Sequence, residues 1–356
     1  MQVRAAITEG DGTFTIDSFE MHEPQTGEVL VEIKASGVCH TDYDWLSRNK
    51  RLVIGHEGAG VVVATGEGAS GLKPGDRVAL NWAIPCGQCF QCKRGAENIC
   101  ENRGRVPEER FGYRKGPLSA SFGLGTMATY AMVPAAAALP LPDSVPFPVA
   151  AIMGCGVMTG FGSAVNAAQV VPMSSVVVLG CGGVGLSVIQ GARYREAAKI
   201  IAIDVNQTRL EMAKRFGATH TLVSDRADKG LLHAATQVKE LTDGRGADYA
   251  FECTAIPELG PAPLAMVRNG GMAVGVSGIE QTVPVDMELF EWDKRYINPL
   301  YGQCRPSRDF PLLFDLYRSR AILLDEMVTR TYSLDELPQA FADMHAGINA
   351  KGVILF

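Results

Sequence analysis

The sequence carries no surplus of basic charge. Its 33 Lys and Arg residues stand against 39 Asp and Glu, a net charge of −6 over 356 residues. Neither nucleic acid nor an anionic membrane surface is therefore an expected partner. A disulfide framework is also lacking. Nine cysteines are present, but four crowd between Cys86 and Cys100, which points to metal thiolates in a reducing cytoplasm. The opening MQVRAAITEGDGTF has no basic segment followed by an apolar run, so no secretory leader is expected. Charge is absent altogether from Ser144 to Ala192, yet Pro146, Pro148, Pro172, many glycines, Asn166 and Gln169 interrupt that stretch. A buried core is expected there rather than a membrane span.

What is present is the composition of a folded protein, 47% hydrophobic and 20% charged. Its length favours two domains over one core. The first part is β-rich: VRAAITEG, EVLVEIKASGV, GAGVVVATG and DRVALNW are short β-branched runs divided by Gly, Pro and Asp turns. From about residue 160 strands and helices alternate. SSVVVLG, KIIAIDVN, HTLV, ADYAFECT and GMAVGVSG are the strands, and QTRLEMAKRFGA is a helix that should end at Gly217. This alternation implies an α/β fold with a doubly wound parallel sheet. The closing LDELPQAFADMHAG and KGVILF read as a helix and strand that could return to the first domain.

Gly180, Gly182 and Gly185 fit G-x-G-x-x-G with Gly183 and Val184 between, at a strand-to-helix turn. Small residues there let backbone approach a pyrophosphate, and the helix N-terminus supplies N–H donors. Asp204 lies nineteen positions beyond Gly185 at the end of the next strand. A carboxylate there would accept from the ribose hydroxyls and repel a 2′-phosphate, favouring NAD, while the nearby Arg209 could soften that preference.

Cys86, Cys89, Cys92 and Cys100 supply four soft ligands on a turning, polar loop, the donor set of a closed structural zinc site; an iron–sulfur cluster is the rival reading. Cys39, His56, Glu57 and Cys155 are dispersed. Two cysteines and a histidine would leave a fourth zinc position open, as catalysis requires, but spacing alone cannot join residues so far apart.

The motifs GVCHTD, GHEGAGVV, the four-cysteine lobe, GCGVMTGFGSAVN, VLGCGGVG and IDVNQTR follow one another in this order. Through them the whole chain resembles the zinc-dependent medium-chain alcohol dehydrogenases, and GCGVMTGFGSAVN is most similar to the branch of liver-type enzymes and glutathione-dependent formaldehyde dehydrogenase. The resemblance implies a GroES-like catalytic domain over 1–156 and 300–356 and a Rossmann domain over 157–299. It implies two zinc ions per subunit, with Cys39, His56 and Cys155 as ligands of the catalytic one and Glu57 beside it. Asp42 would orient His56, and Thr41 would hydrogen-bond the substrate oxygen. His40 and Lys351 would contact the cofactor pyrophosphate, Thr159 and Val184 would face the nicotinamide, and Arg209 would lie by the adenosine ribose. Trp82 would line the substrate pocket. Homodimers or homotetramers are the implied assembly.

The chain departs from that branch in three places. Asp44 stands where liver-type enzymes carry the histidine that ends a proton relay, and the segments Cys39–His56 and Cys100–Cys155 are shorter. The expected activity is oxidation of primary alcohols to aldehydes, and the reverse, with hydride transfer to NAD. Oxidation of the glutathione adduct of formaldehyde is an alternative, for which Arg103, Arg105, Arg110 and Arg114 could supply cationic groups. A non-catalytic zinc- and dinucleotide-binding redox sensor is the alternative outside the enzymes.

Overall fold

A computed structural model of the chain describes residues 1–69 and 71–356. It divides into two compact units, Met1–Gly156 with Arg305–Phe356, and Val157–Cys304.

The first unit is built around Glu28–Gly37, a strand whose ten residues are buried or half-buried throughout. Such continuous burial needs partners on both sides. Gly58–Thr65 and Tyr130–Pro134 both pair with it antiparallel, and Lys351–Leu355 pairs with its far end, Val353 opposite Gly37. The closing strand thus lies in the same sheet as Glu28–Gly37. Gly58–Thr65 leads on to Arg77–Leu80 and Ala138–Pro140. A second sheet pairs Gln2–Thr8 with Phe14–Met21, with Val3, Ile7, Phe19 and Met21 facing Phe111 and Leu118 in one core. The helix Leu337–His345 buries Leu337, Ala340 and Phe341 against Ala6, Val38 and Ile54.

The second unit is a six-stranded sheet, parallel throughout. In space the order is His220–Val223, Lys199–Asp204, Ser175–Leu179, Ala247–Glu252, Val267–Gly275 and Arg295–Ile297. The chain starts in the middle, winds outward, then returns to the other side of Ser175–Leu179. That reversal is the topological switch point, beyond whose strand ends doubly wound sheets bind ligands. The helix Gln207–Phe216 is capped by Asn206, whose side chain accepts from the N–H groups of Thr208 and Arg209. It ends at Gly217, at φ 122°, as the sequence predicts.

The sequence places residues 300–304 in the first domain; they cluster with the second unit instead. Tyr301 is fully buried there, and the backbone of Gly302 lies against Gly162 so closely that a Cβ would not fit. The helical run Phe147–Ala167 is long and apolar enough to cross a membrane by length and composition, but 78% of its most apolar window is buried inside the protein.

Replacing Asn206 by Ala removes the cap from two backbone donors. The expected cost is about 1 kcal/mol of stability, read as a lowered denaturation midpoint of the second unit; no shift in the midpoint would contradict the capping role.

Candidate active site

In the second unit the glycine turn is shaped by close approaches. Gly180 has φ 86°, a conformation that side chains resist. A Cβ on Gly185 would lie 1.8 Å from the carbonyl oxygen of Gly180, so only glycine lets the helix Gly183–Tyr194 start this near the strand. A Cβ on Gly182 would meet nothing within 4 Å. The backbone there borders open space at a helix N-terminus, the cradle an anion requires. Asp204 is buried, with Oδ2 accepting from the Cys181 N–H at 2.7 Å and Oδ1 from the Asn206 N–H at 2.9 Å. Its carboxylate is thereby fixed beside the turn. Arg209 Nη1 stands 3.9 Å from Asp204 Oδ2. Val184 and Thr159 are half-buried in this unit.

Two groups in the first unit could hold metal. The sulfur atoms of Cys86, Cys89, Cys92 and Cys100 all lie within 4.8 Å of one another. Backbone N–H groups of Cys86, Cys89 and Cys92 donate to Cys100, Cys86 and Cys89 Sγ in turn. Donors aimed at sulfur favour thiolate, and they lower the Cys89 thiol to about 6. Burial pushes Cys92 the other way, up to about 12. The Cys89 and Cys100 sulfurs are 3.9 Å apart. A tetrahedron with Zn–S of about 2.3 Å has an edge of about 3.8 Å, so the residues fit zinc.

The second group joins distant segments. Cys39 precedes the short helix His40–Asp44, His56 and Glu57 lead into the strand Gly58–Thr65, and Cys155 sits in the wide turn Met153–Val157. One ligand atom from each of Cys39, His56, Glu57 and Cys155 falls within 4.8 Å of the others. Asp42 is fully buried, and its Oδ1 accepts from His56 Nδ1 at 2.7 Å and from the Gly55 N–H at 3.2 Å. The imidazole is thereby oriented with Nε2 as the ring nitrogen that would meet a metal. Gly37 makes room for Glu57, whose Oε2 would lie only 2.0 Å from a Cβ there.

The electrostatics are those of a site short of positive charge. A hydrogen bond with Cys155, then His56, holds the Cys39 thiol well below the ordinary range, and the same bond holds Cys155 well above it. Burial raises Asp42, and raises Glu57 to about 7 against the pull of Lys351. Burial disfavours charge on His56, but Asp42 and Cys39 together outweigh it and hold the imidazole well above its usual range. Asp42 Oδ2 and Glu57 Oε2 are buried without a hydrogen-bond partner. Two soft sulfurs, an imidazole and unpartnered carboxylate oxygens form a donor set that a zinc dication fits.

Lys351, which the resemblance places on the cofactor pyrophosphate, is buried, its ammonium donating to Glu57 Oε1 at 2.7 Å and Val38 O at 3.1 Å. Its charge offsets that of Glu57, and the same pairing raises its own pKa although burial opposes this. Thr41 is half-buried, while His40 and Asp44 are exposed, the His40 ring 5.5 Å from that of His345. Trp82 is buried, with Arg103 over its indole.

The family described as "Alcohol dehydrogenase GroES-like domain" matches residues 25–143, and that described as "Zinc-binding dehydrogenase" matches 183–318. An S-(hydroxymethyl)glutathione dehydrogenase of Paracoccus denitrificans is 32% identical over 375 residues, covering 100% of both chains. The chain belongs to the zinc-dependent medium-chain alcohol dehydrogenase family. Among solved structures, benzyl alcohol dehydrogenase from Acinetobacter calcoaceticus is similar to this dehydrogenase with a TM-score of 0.90 and 31% identity, over 100% of this chain and 99% of that one. A zinc-binding dehydrogenase from Sinorhizobium meliloti 1021 bound to NADP gives 0.81 and 26%, over 100% of each.

Two residues beside the site escape the sequence reading. Phe122 has its ring 4.9 Å from that of His56, and Trp45 lies 4.5 Å from Phe122. Both come from the segments that are shorter than in the resembling branch, where no family motif reaches. The only local signal is an aromatic beside the glycines of Phe122-Gly-Leu-Gly.

Substituting Gly185→Val should push the helix start away from Gly180. The expected outcome is at least a tenfold weaker binding of NADH by fluorescence titration with the zinc content unaltered; undiminished binding would mean that the turn is not the dinucleotide cradle.

Proposed function

We propose that this dehydrogenase oxidises primary alcohols to aldehydes, and reduces them in reverse, with NAD as hydride acceptor. The observation that carries the reading is the buried group of Cys39, His56, Glu57 and Cys155, within 4.8 Å of one another and oriented by Asp42. Cys39, His56 and Cys155 hold the catalytic zinc, and Cys86, Cys89, Cys92 and Cys100 the structural one. When bound, zinc supplies the Lewis acidity that eases deprotonation of an alcohol, and NAD the hydride acceptor.

The chain's own residues do the rest. Asp42 accepts from His56 Nδ1 and so keeps Nε2 on the metal side. Glu57, tied through Oε1 to Lys351, keeps Oε2 unpartnered beside the ligands, available to the metal when its other partners exchange. Thr41 accepts the substrate hydroxyl proton as it gives up its own, and Asp44, exposed on the same short helix, or water carries that proton away, while His40 reaches towards the pyrophosphate. Gly180, Gly182 and Gly185 leave backbone N–H groups and space for the pyrophosphate, with Val184 and Thr159 towards the nicotinamide. Asp204, already fixed by two backbone donors, accepts from the adenosine ribose and disfavours a 2′-phosphate. Arg209, 3.9 Å away, moderates that preference.

The curated relatives favour a second reading, oxidation of S-(hydroxymethyl)glutathione, the substrate named for the Paracoccus enzyme. The arginines that would receive its carboxylates are partly committed elsewhere: Arg110 to Glu28 at 2.9 Å and Arg114 to Asp17 at 2.6 Å. Primary alcohols are therefore the first choice. A cytoplasmic setting, in keeping with the clustered thiols Cys86, Cys89, Cys92 and Cys100, and homodimeric or homotetrameric assembly by family likeness are part of this proposal.

The test is NADH formation with a panel of primary alcohols, with and without zinc chelation, and with formaldehyde plus glutathione alongside. Turnover that chelation abolishes is expected, with NAD preferred over NADP at least tenfold and Cys39→Ser losing one zinc equivalent and about a thousandfold in rate. Turnover confined to the glutathione adduct would favour the second reading. No turnover despite two bound zinc ions would support the sensor alternative.

A further inference from the structure

Glu252 is the last residue of the strand Ala247–Glu252 and is fully withdrawn from water. Its Oε1 accepts from the Thr254 N–H, the Thr254 hydroxyl and the Ala255 N–H at 2.5, 2.6 and 3.0 Å. Its Oε2 is buried with no hydrogen-bond partner, and among the described residues no Lys or Arg is paired with it. The charge reaches its neighbours. Burial first, and then Glu252, push the Tyr296 hydroxyl and the Cys253 thiol above their ordinary ranges.

The sheet fixes where this charge stands. Lys199–Asp204 lies on one side of the switch strand Ser175–Leu179, and Ala247–Glu252 on the other. The Cys253 N–H donates to Leu179 O at 2.8 Å and the Val276 N–H to Glu252 O at 3.0 Å. A Cβ on Gly180 would lie 2.9 Å from Thr254 Cγ2, so the turn after Glu252 packs on the glycine turn. These are the strand ends over which a doubly wound sheet takes its dinucleotide, one nucleotide to each half. Asp204 belongs to the adenosine half; Glu252 stands across the switch point, on the half left to the nicotinamide.

The turn itself needs no charge. An amide oxygen would accept the same three hydrogen bonds, and an amide costs far less to bury than a carboxylate with one oxygen unpaired. A charge kept against that cost points to a use for the charge. In alcohol oxidation the nicotinamide ring is a cation before hydride transfer and neutral after it. A fixed negative charge attracts the first form and not the second, most strongly where water is excluded.

We propose that Glu252 reads the oxidation state of the cofactor, its uncompensated carboxylate strengthening the binding of NAD relative to NADH. The inference rests on the dehydrogenase reading and adds to it a residue that acts through its field rather than by contact with the reacting atoms.

The test measures Kd for NAD, NADH and ADP-ribose on the zinc-loaded protein without alcohol. It compares the unaltered chain with Glu252→Gln, which keeps Oε1 and removes the charge, Glu252→Met, which removes both, and Glu252→Asp, which keeps the charge on a shorter arm. The ratio of Kd for NAD to Kd for NADH is expected to rise about fivefold or more in the two neutral variants. ADP-ribose, which lacks the nicotinamide, should bind Glu252→Gln within about twofold of the unaltered chain, and Glu252→Asp should hold the ratio within about twofold while binding all three ligands more weakly. An unchanged ratio in a neutral variant would overturn the inference. An equal loss of all three ligands in Glu252→Gln would also overturn it, by making Glu252 a support for the turn alone. Should neither neutral variant fold, Glu252→Asp decides: a held ratio supports the charge, and a ratio raised about fivefold overturns it. If the unaltered protein binds neither NAD nor NADH, the dinucleotide reading fails and the inference with it; tight binding of both with an unmoved ratio fails the inference alone.

Discussion

The hydrogen bond between Asp42 and His56 is the constraint on which the rest of the first unit depends. Both side chains are withdrawn from water, together with Glu57 and Lys351 and beside Cys39 and Cys155. Burying so many ionisable groups in one place is costly unless each is paired or meets a metal. The sheet supplies part of the remedy. The strand Lys351–Leu355, far away in sequence, pairs beside Gly37 and brings the Lys351 ammonium to Glu57. The bare Cα of Gly37 makes space for that carboxylate. What remains unpaired, Asp42 Oδ2 and Glu57 Oε2 beside two thiols, is what a dication would meet.

The second unit follows a separate logic with little buried charge at its site. Backbone geometry makes the cradle: a left-handed glycine, a close approach at Gly185, open space at Gly182, and an aspartate fixed by N–H groups. Hydride chemistry needs both kinds of site, one that polarises an oxygen and one that holds a dinucleotide, and the fold provides each by a different physical means.

How legible these features are in the sequence follows from their range. The four-cysteine lobe and the glycine turn are local. Their spacing reports their geometry, as does the strand–helix alternation that yields the parallel sheet. The group of Cys39, His56 and Cys155 is assembled by tertiary structure, so it is readable only through resemblance to a known family. Lys351 shows the limit of that route: the position carries over, but the buried pairing with Glu57 depends on strand register. Trp45 and Phe122 lie in segments where the resemblance itself gives out. A three-ring contact leaves no periodic trace in a sequence.

X-ray absorption at the zinc edge of the purified protein tests most directly whether the buried group is a metal centre of mixed ligands. With one all-thiolate site and one of two sulfurs, a nitrogen and an oxygen, the mean shell is expected to hold about three sulfurs near 2.3 Å and one nitrogen or oxygen near 2.0–2.1 Å. A shell of sulfur alone would mean that Cys39, His56 and Cys155 hold no zinc, and would contradict the account.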